Sequence, residues 1–221
     1  MTQVKLETKV LKANDEIAAQ LRVKFVENNV RVINLISSPG AGKTTLLEHS
    51  LPELLTKYKV GVIEGDVLTT RDADRIARLN VPVVQIETKG TCHLDAKMVL
   101  KAVDQLDLAN LDLIMIENVG NLVCPATFEL AEDAKVVILS IAEGSDKPAK
   151  YPTIFTRAKV CILNKMDLLP YSNFSLDLFY EDLKKINPKV QVFEVSAVKE
   201  QGLNVWIEWL EGMMVNGGQK D

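Results

Sequence analysis

Aromatic residues are scarce in this chain: Phe, Trp and Tyr make up 5% of 221 residues. Val, Ile and Leu must fill whatever core it builds, and the rings that would stack the bases of a single strand are lacking. No run of Lys or Arg occurs and the net charge is −4, which excludes the electrostatic footprint of a nucleic-acid binder. No apolar stretch has the length of a membrane span. The opening MTQVKLETKV has no hydrophobic segment behind its charges, so no signal peptide is expected. Three Cys at irregular spacing do not make a disulfide framework, and the expectation is a cytoplasmic chain with reduced thiols.

What the chain does have is alternation. Short Val/Ile/Leu-rich runs appear at 31–37, 59–64, 81–86, 111–117, 134–141, 158–164 and 190–195. Between most of them lie helical patterns at 43–57, 70–79, 94–107, 175–186 and 200–214, and an amphipathic helix over about 12–28 precedes the first run. Several runs are apolar at nearly every position, as strands buried on both faces are. The pattern predicts a doubly wound α/β fold: a mostly parallel sheet of about seven strands with helices on both faces, a single domain over 1–221. The one long connection is the Pro-containing stretch 143–157. In such sheets the ligand lies beyond the carboxyl ends of the strands, so function is read from the residues just past each strand end.

After the first strand comes SSPGAGKTT, a phosphate-binding loop. Gly40 and Gly42 let the backbone around Ala41 turn its N–H groups toward an anion at the start of the next helix. Lys43 is placed to reach phosphate oxygens, Thr44 to ligate Mg²⁺, and Thr45 continues the motif. Ser37 stands where the first Gly of the usual pattern sits. After the second strand, IEGD supplies Asp66, read as a carboxylate reaching Mg²⁺ directly or through water, with a turn acid as the alternative. Asp72 and Asp74 read as ordinary first-turn helix acids. After the fourth strand, ENVG supplies Glu117, which holds Mg²⁺ or acts on an attacking water, and Gly120, whose N–H can meet a γ-phosphate. After the sixth, NKMD has the guanine-binding form. Asp167 can accept from both guanine donors, Asn164 ties neighbouring loops, and the Lys165 stem packs on the base. Adenine would leave that carboxylate unpaired. Ser196-Ala197 after the seventh strand completes the set. The motifs predict binding of GTP and GDP with Mg²⁺ and hydrolysis of GTP, with Lys43, Asp66 and Glu117 as the residues around the reacting phosphate. A small-molecule kinase on the same fold is the alternative.

Cys92-His93 comes after the third strand, and Cys124 lies four residues past Gly120. If both loops reach the same sheet edge, two thiolates and an imidazole converge, a donor set suited to Zn²⁺ or Ni²⁺. Inert thiols beside a capping His are the alternative. Three ligands leave a fourth position open for exchange or for a second chain across a two-fold axis. Cys161 reads as a core residue and His49 as a surface one.

SSPGAGKTTLL, IEGD, GTCHLD, IENVGNLVCP, EGSDKPAKYP and LNKMDLLPY together resemble the HypB family, the nickel-incorporation GTPases of nickel–iron hydrogenase maturation, over roughly residues 10–212. The related urease-accessory GTPases differ in having a Cys-Pro-His metal motif. The resemblance implies a P-loop GTPase of the branch that dimerises around nucleotide, a homodimer with Cys92, His93 and Cys124 at its interface. It also implies a nickel-binding partner, HypA, and the hydrogenase large-subunit precursor as recipient. Lys147, in the D-K-P segment, is placed near nucleotide or partner chain, or simply at the surface. No Cys precedes Cys92 and no His precedes His49, so the resemblance supports one transition-metal site.

Overall fold

Strands that are apolar on both faces need cover on both faces, and the helices of this chain supply it. The computed structural model describes residues 6–67 and 69–216. Its elements run α1 (Leu6–Glu27), β1 (Arg31–Ser37), α2 (Lys43–Leu54), β2 (Val60–Asp66), α3 (Arg71–Ala77), β3 (Val83–Glu87), α4 (Ala96–Val103), β4 (Leu113–Glu117), β5 (Ala134–Ser140), α5 (Lys147–Lys150), α6 (Pro152–Arg157), β6 (Val160–Asn164), α7 (Leu176–Ile186), β7 (Gln191–Glu194) and α8 (Leu203–Asn216), with short 3-10 turns between some of them. The seven strands form one sheet in the order β3-β2-β4-β1-β5-β6-β7. Every neighbouring pair is parallel.

Side chains of β1 alternate between the two covers. Ile33 and Leu35 pack with Leu47 and Leu51 of α2 and with Trp206 of α8. On the other face Val32 meets Leu21 and Phe25 of α1 and Val99 of α4. Ile36 meets Phe155 of α6 and Phe179 of α7. Each such side chain contributes about 1.5–3 kcal/mol by leaving water. The chain leaves β1 toward β2 and β3 and later returns to its other side through β5. β1 is therefore a switch point, where a crevice opens beyond the strand ends.

One expectation changes. The first helix begins by Leu6 rather than near residue 12. Lys9, Leu11, Lys12 and Ala13 favour a helix by propensity, while Val10 is 55% exposed and breaks the apolar period, so periodicity alone missed this part. The long Pro-containing connection 143–157 holds two short helices, α5 and α6, each with Pro in its first turn, where a missing N–H costs nothing. Among the described residues no helix is long and apolar enough to cross a membrane.

Candidate functional site

The phosphate loop joins β1 to α2 and forms one wall of a cleft of about 610 Å³. Gly40 and Gly42 take φ of +74° and +102°, left-handed values that disfavour a side chain. At Gly42 a Cβ would also come within 2.5 Å of Asn164 Nδ2. Lys43 is buried, donates to Ser37 Oγ at 3.0 Å and lies 4.0 Å from Glu117 Oε1. Thr44 Oγ1 donates to the same carboxylate oxygen at 2.8 Å. Gly120 closes over the loop from the opposite wall; a Cβ there would stand 3.0 Å from Pro39.

The acidic wall differs from the sequence reading. Glu64, Asp72 and Glu117 each offer an oxygen within 4.8 Å of the others. Asp66, expected beside Glu117, also lines the cleft but falls outside that trio, and its carboxylate accepts from Thr69 Oγ1 at 2.7 Å. The cause is register. In the β2–β4 pair Glu64 stands directly beside Glu117, whereas Asp66 lies beyond the last paired residue of β4. Asp72 is a first-turn acid of α3, as expected, but that turn faces the cleft. Arg75, one turn on, donates to Asp72 Oδ1 at 3.1 Å, to Thr45 Oγ1 at 3.2 Å and to Glu48 Oε1 at 2.9 Å.

Burial and the neighbouring Glu117 push the Glu64 carboxyl well above the carboxylate range; burial also raises Glu117, against the pull of Lys43. Two carboxyls this close in a dry site do not both stay ionised without a cation. Glu64 Oε2 and Glu117 Oε2 are buried without a hydrogen-bond partner. Hard oxygen donors left unpaired beside a threonine hydroxyl fit a divalent cation such as Mg²⁺.

The residues read as base-binding converge at the other end of the cleft. Asn164 Nδ2 donates to the Ala41 carbonyl at 2.9 Å, and its oxygen accepts from the Ala197 N–H at 3.1 Å. Lys165, in a left-handed conformation at φ +63°, donates to the Gly40 carbonyl at 2.7 Å. Ser196 Oγ donates to Asp167 Oδ1.

Cys92, His93 and Cys124 do meet: their donor atoms lie within 4.8 Å of one another. The Cys92 thiol donates to Cys124 Sγ at 3.1 Å. That bond, with burial, holds the Cys124 thiol above its usual range, while burial lowers the His93 imidazole against Asp95. Asp95 caps α4, accepting from the Met98 N–H at 2.7 Å, and so fixes the turn that carries Cys92-His93. Phe128 stacks on the His93 ring at 4.0 Å between centroids. Cys161 is fully buried in β6, as expected. His49 is half-buried and bonded to Glu200 at 2.9 Å rather than free at the surface. Lys147 lies 3.8 Å from Glu143 and over the Tyr151 ring, outside the cleft wall.

A family model described as the nucleotide-binding domain of CobW, HypB and UreG matches residues 31–194, from the first residue of β1 to the last of β7. The hydrogenase maturation factor HypB of Escherichia coli K12 is 44% identical over 208 residues, covering 94% of this chain and 72% of that protein. This chain belongs to the HypB family of hydrogenase maturation factors. HypB structures share its fold. The crystal structure of HypB from Helicobacter pylori in complex with nickel superimposes with a TM-score of 0.89 at 37% identity, covering 94% of this chain and 98% of that one. HypB from Archaeoglobus fulgidus gives 0.86 at 33% identity, covering 92% and all of that chain. This chain is thus an α/β P-loop nucleotide-binding domain of the HypB kind, and it carries a Cys/His cluster beside the cleft. Glu64 and Arg75 carried no role in the sequence reading, which took Asp72 for an ordinary first-turn helix acid. An acid one strand over from Glu117 carries no local signal; only pairing register reveals it.

Proposed function

We propose that this chain is a slow GTPase that couples GTP binding and hydrolysis to nickel delivery during nickel–iron hydrogenase maturation. The observation that carries the reading is the segment 117–124. Glu117 begins it at the cleft and bonded to Thr44, Gly120 packs against the phosphate loop, and Cys124 ends it against Cys92. A change felt at the phosphates is felt at the thiols.

In this reading Asp167 accepts from the guanine N1–H and exocyclic amine, and Asn164 holds the base loop to the phosphate loop. Gly40, Ala41, Gly42, Thr45 and Gly120 present backbone N–H groups to the phosphates, and Lys43 leaves Ser37 to neutralise their charge. Thr44 and Glu117, with Glu64, Asp72 or Asp66 behind them, would hold Mg²⁺, which would supply neutralising positive charge when bound. Water attacks the γ-phosphorus, the bond to the bridging oxygen breaks, and GDP and phosphate leave. Arg75, on the cleft wall, is ion-paired with Glu48 and Asp72, so its charge is already engaged. Turnover by the isolated chain is therefore slow.

Cys92, His93 and Cys124 take Ni²⁺ as cargo, or Zn²⁺ in its place. A second copy of the chain completes the site, a nickel-binding partner of the HypA kind exchanges metal with it, and the hydrogenase large-subunit precursor receives it in the cytoplasm. The test is Ni²⁺ and Zn²⁺ affinity by chelator competition, with Mg²⁺ and GDP and again with Mg²⁺ and a non-hydrolysable GTP analogue. A shift of tenfold or more, about 1.4 kcal/mol of coupling, is expected. Equal affinities in the two states would sink the coupling.

A further inference from the structure

Under the metal loop runs a chain of buried polar side chains that no motif in the sequence explains. Asn118, 1% exposed, directly follows Glu117. Its side-chain oxygen accepts from the Leu94 N–H at 3.2 Å and from the Val119 N–H at 3.0 Å. Its amide nitrogen donates to Asn34 Oδ1 at 3.2 Å. Asn34, fully buried on β1, donates in turn to Glu132 Oε1 at 2.9 Å. Lys135 is ion-paired with Glu132 and donates to the Phe128 carbonyl at 3.0 Å. Phe128 carries the ring that stacks on His93. The chain leaves the metal loop at Leu94 and comes back to it at His93.

Apolar residues of similar volume are often as stable in such a place as a buried ion pair, so stability is a weak reason for the arrangement and position a better one. We propose that Asn118 is the positioning residue through which the phosphate cleft sets the geometry of the Cys92–His93–Cys124 cluster, with Asn34, Glu132 and Lys135 as its fixed backing.

The inference rests on the nucleotide–metal coupling proposed above and names the part that transmits it. Cys124 hangs from Asn118 through five intervening residues of backbone. Cys92-His93 hang from it through the hydrogen bond to Leu94. When residues 117–120 move toward the phosphates, the Leu94 N–H must follow its acceptor or be left buried and unpaired, which is costly. Asn34 resists that motion from β1, and Phe128 holds the His93 ring against a wall that does not move. Cys92 and Cys124 are therefore drawn along while the His93 ring is braced. Asn121 adds an exposed link, donating to the Cys92 carbonyl at 3.1 Å, but water competes for it.

The experiment measures Ni²⁺ affinity by chelator competition and the thiolate-to-nickel charge-transfer spectrum, each with GDP and with the GTP analogue, in wild type and three variants. Melting temperature is recorded for each. Asn118→Leu removes both side-chain links, Asn118→Asp keeps the acceptor for Leu94 but cannot donate to Asn34, and Phe128→Leu removes the ring from His93. Wild type should show a nucleotide-dependent ratio of about tenfold or more. Asn118→Leu should bring it within about twofold and make the two spectra coincide, while Asn118→Asp and Phe128→Leu fall between. A wild-type ratio in Asn118→Leu overturns the inference and leaves the coupling standing. If that variant does not fold, Asn118→Ala, which also removes both side-chain links, takes its place, and a wild-type ratio there overturns the inference. Equal affinities in the wild type overturn the coupling and this inference together.

Discussion

Asn164 bonds to both ends of the candidate nucleotide site, donating to Ala41 of the phosphate loop at 2.9 Å and accepting from Ala197 of the base loop at 3.1 Å. Its oxygen also accepts from the Lys165 N–H at 2.8 Å. Three loops from distant parts of the chain are held by one buried amide. Asn164→Ala strips these bonds and leaves buried groups unpaired, for a loss of about 2–4 kcal/mol. Chemical denaturation should read that loss. Titration with a fluorescent GDP should show affinity falling at least about tenfold. An unchanged affinity would mean the loops keep their places without it.

In the proposed function, base choice rests on Asp167. A carboxylate matches the two donors of guanine; an amide in its place offers a donor where xanthine has a carbonyl. Asp167→Asn should weaken GDP by about 10²-fold or more and improve xanthosine diphosphate. Competition between the two nucleotides decides it. A variant that loses GDP without gaining the xanthine nucleotide would show that Ser196, its partner in the structure, was the more important contact.

Gly120 is a glycine because of space. Its φ is not left-handed, yet a Cβ would press on Pro39 at 3.0 Å, backbone atoms included. Gly120→Ala should therefore hold the two cleft walls apart. GDP affinity should change little while the affinity for a GTP analogue drops about tenfold. Equal losses for both nucleotides would count against a γ-phosphate contact at this residue.

The paired carboxyls predict a pH dependence for the protein free of nucleotide and metal. Burial and Glu117 raise Glu64, so the folded state keeps a proton that the unfolded chain releases near 4.5. The stability from that proton is complete below the unfolded value and is lost as pH rises. Between about pH 5 and 9 the wild type should lose stability relative to Glu64→Gln, whose neutral amide does not titrate. Urea midpoints at several pH values measure it, and parallel profiles would refute it. Added Mg²⁺ should narrow the difference, because a cation takes the place of the shared proton.

Cys92→Ser and Cys124→Ser should each weaken Ni²⁺ and Zn²⁺ binding at least about 100-fold, since each removes one of three protein donors. Cys161→Ser serves as the control. Its thiol is wholly buried in β6 and raised far above the ordinary thiol range by burial, so metal affinity should not change. Loss of metal binding in that variant would point to a different ligand set.

Much of this was legible in residue order because its requirements are local. The phosphate loop needs small residues at left-handed positions immediately before a helix, and Gly40, Gly42 and Lys43 say so within a few positions. The base motif needs an acceptor-only group, and Asp167 is one wherever the chain folds. Strand identity came from runs apolar at every position. Helix limits were less legible where burial did not contribute, as at the start of α1, or where Pro stood in a first turn, as in α5 and α6.

By itself the sequence marks out the phosphate loop, the candidate base-binding residues, the candidate Cys/His donors and the parallel α/β plan, because each is a matter of chemistry within a short segment. Tertiary structure alone decided which acids meet. Glu64 stands beside Glu117 through the β2–β4 register, and Asp72 faces both because α3 starts at the cleft. It alone placed Cys92 against Cys124 and joined Asn118 to Leu94, Asn34 and, through Glu132 and Lys135, the wall behind His93. Those contacts join residues up to about a hundred positions apart, and only the packing of the whole sheet determines which strands lie side by side and in what register.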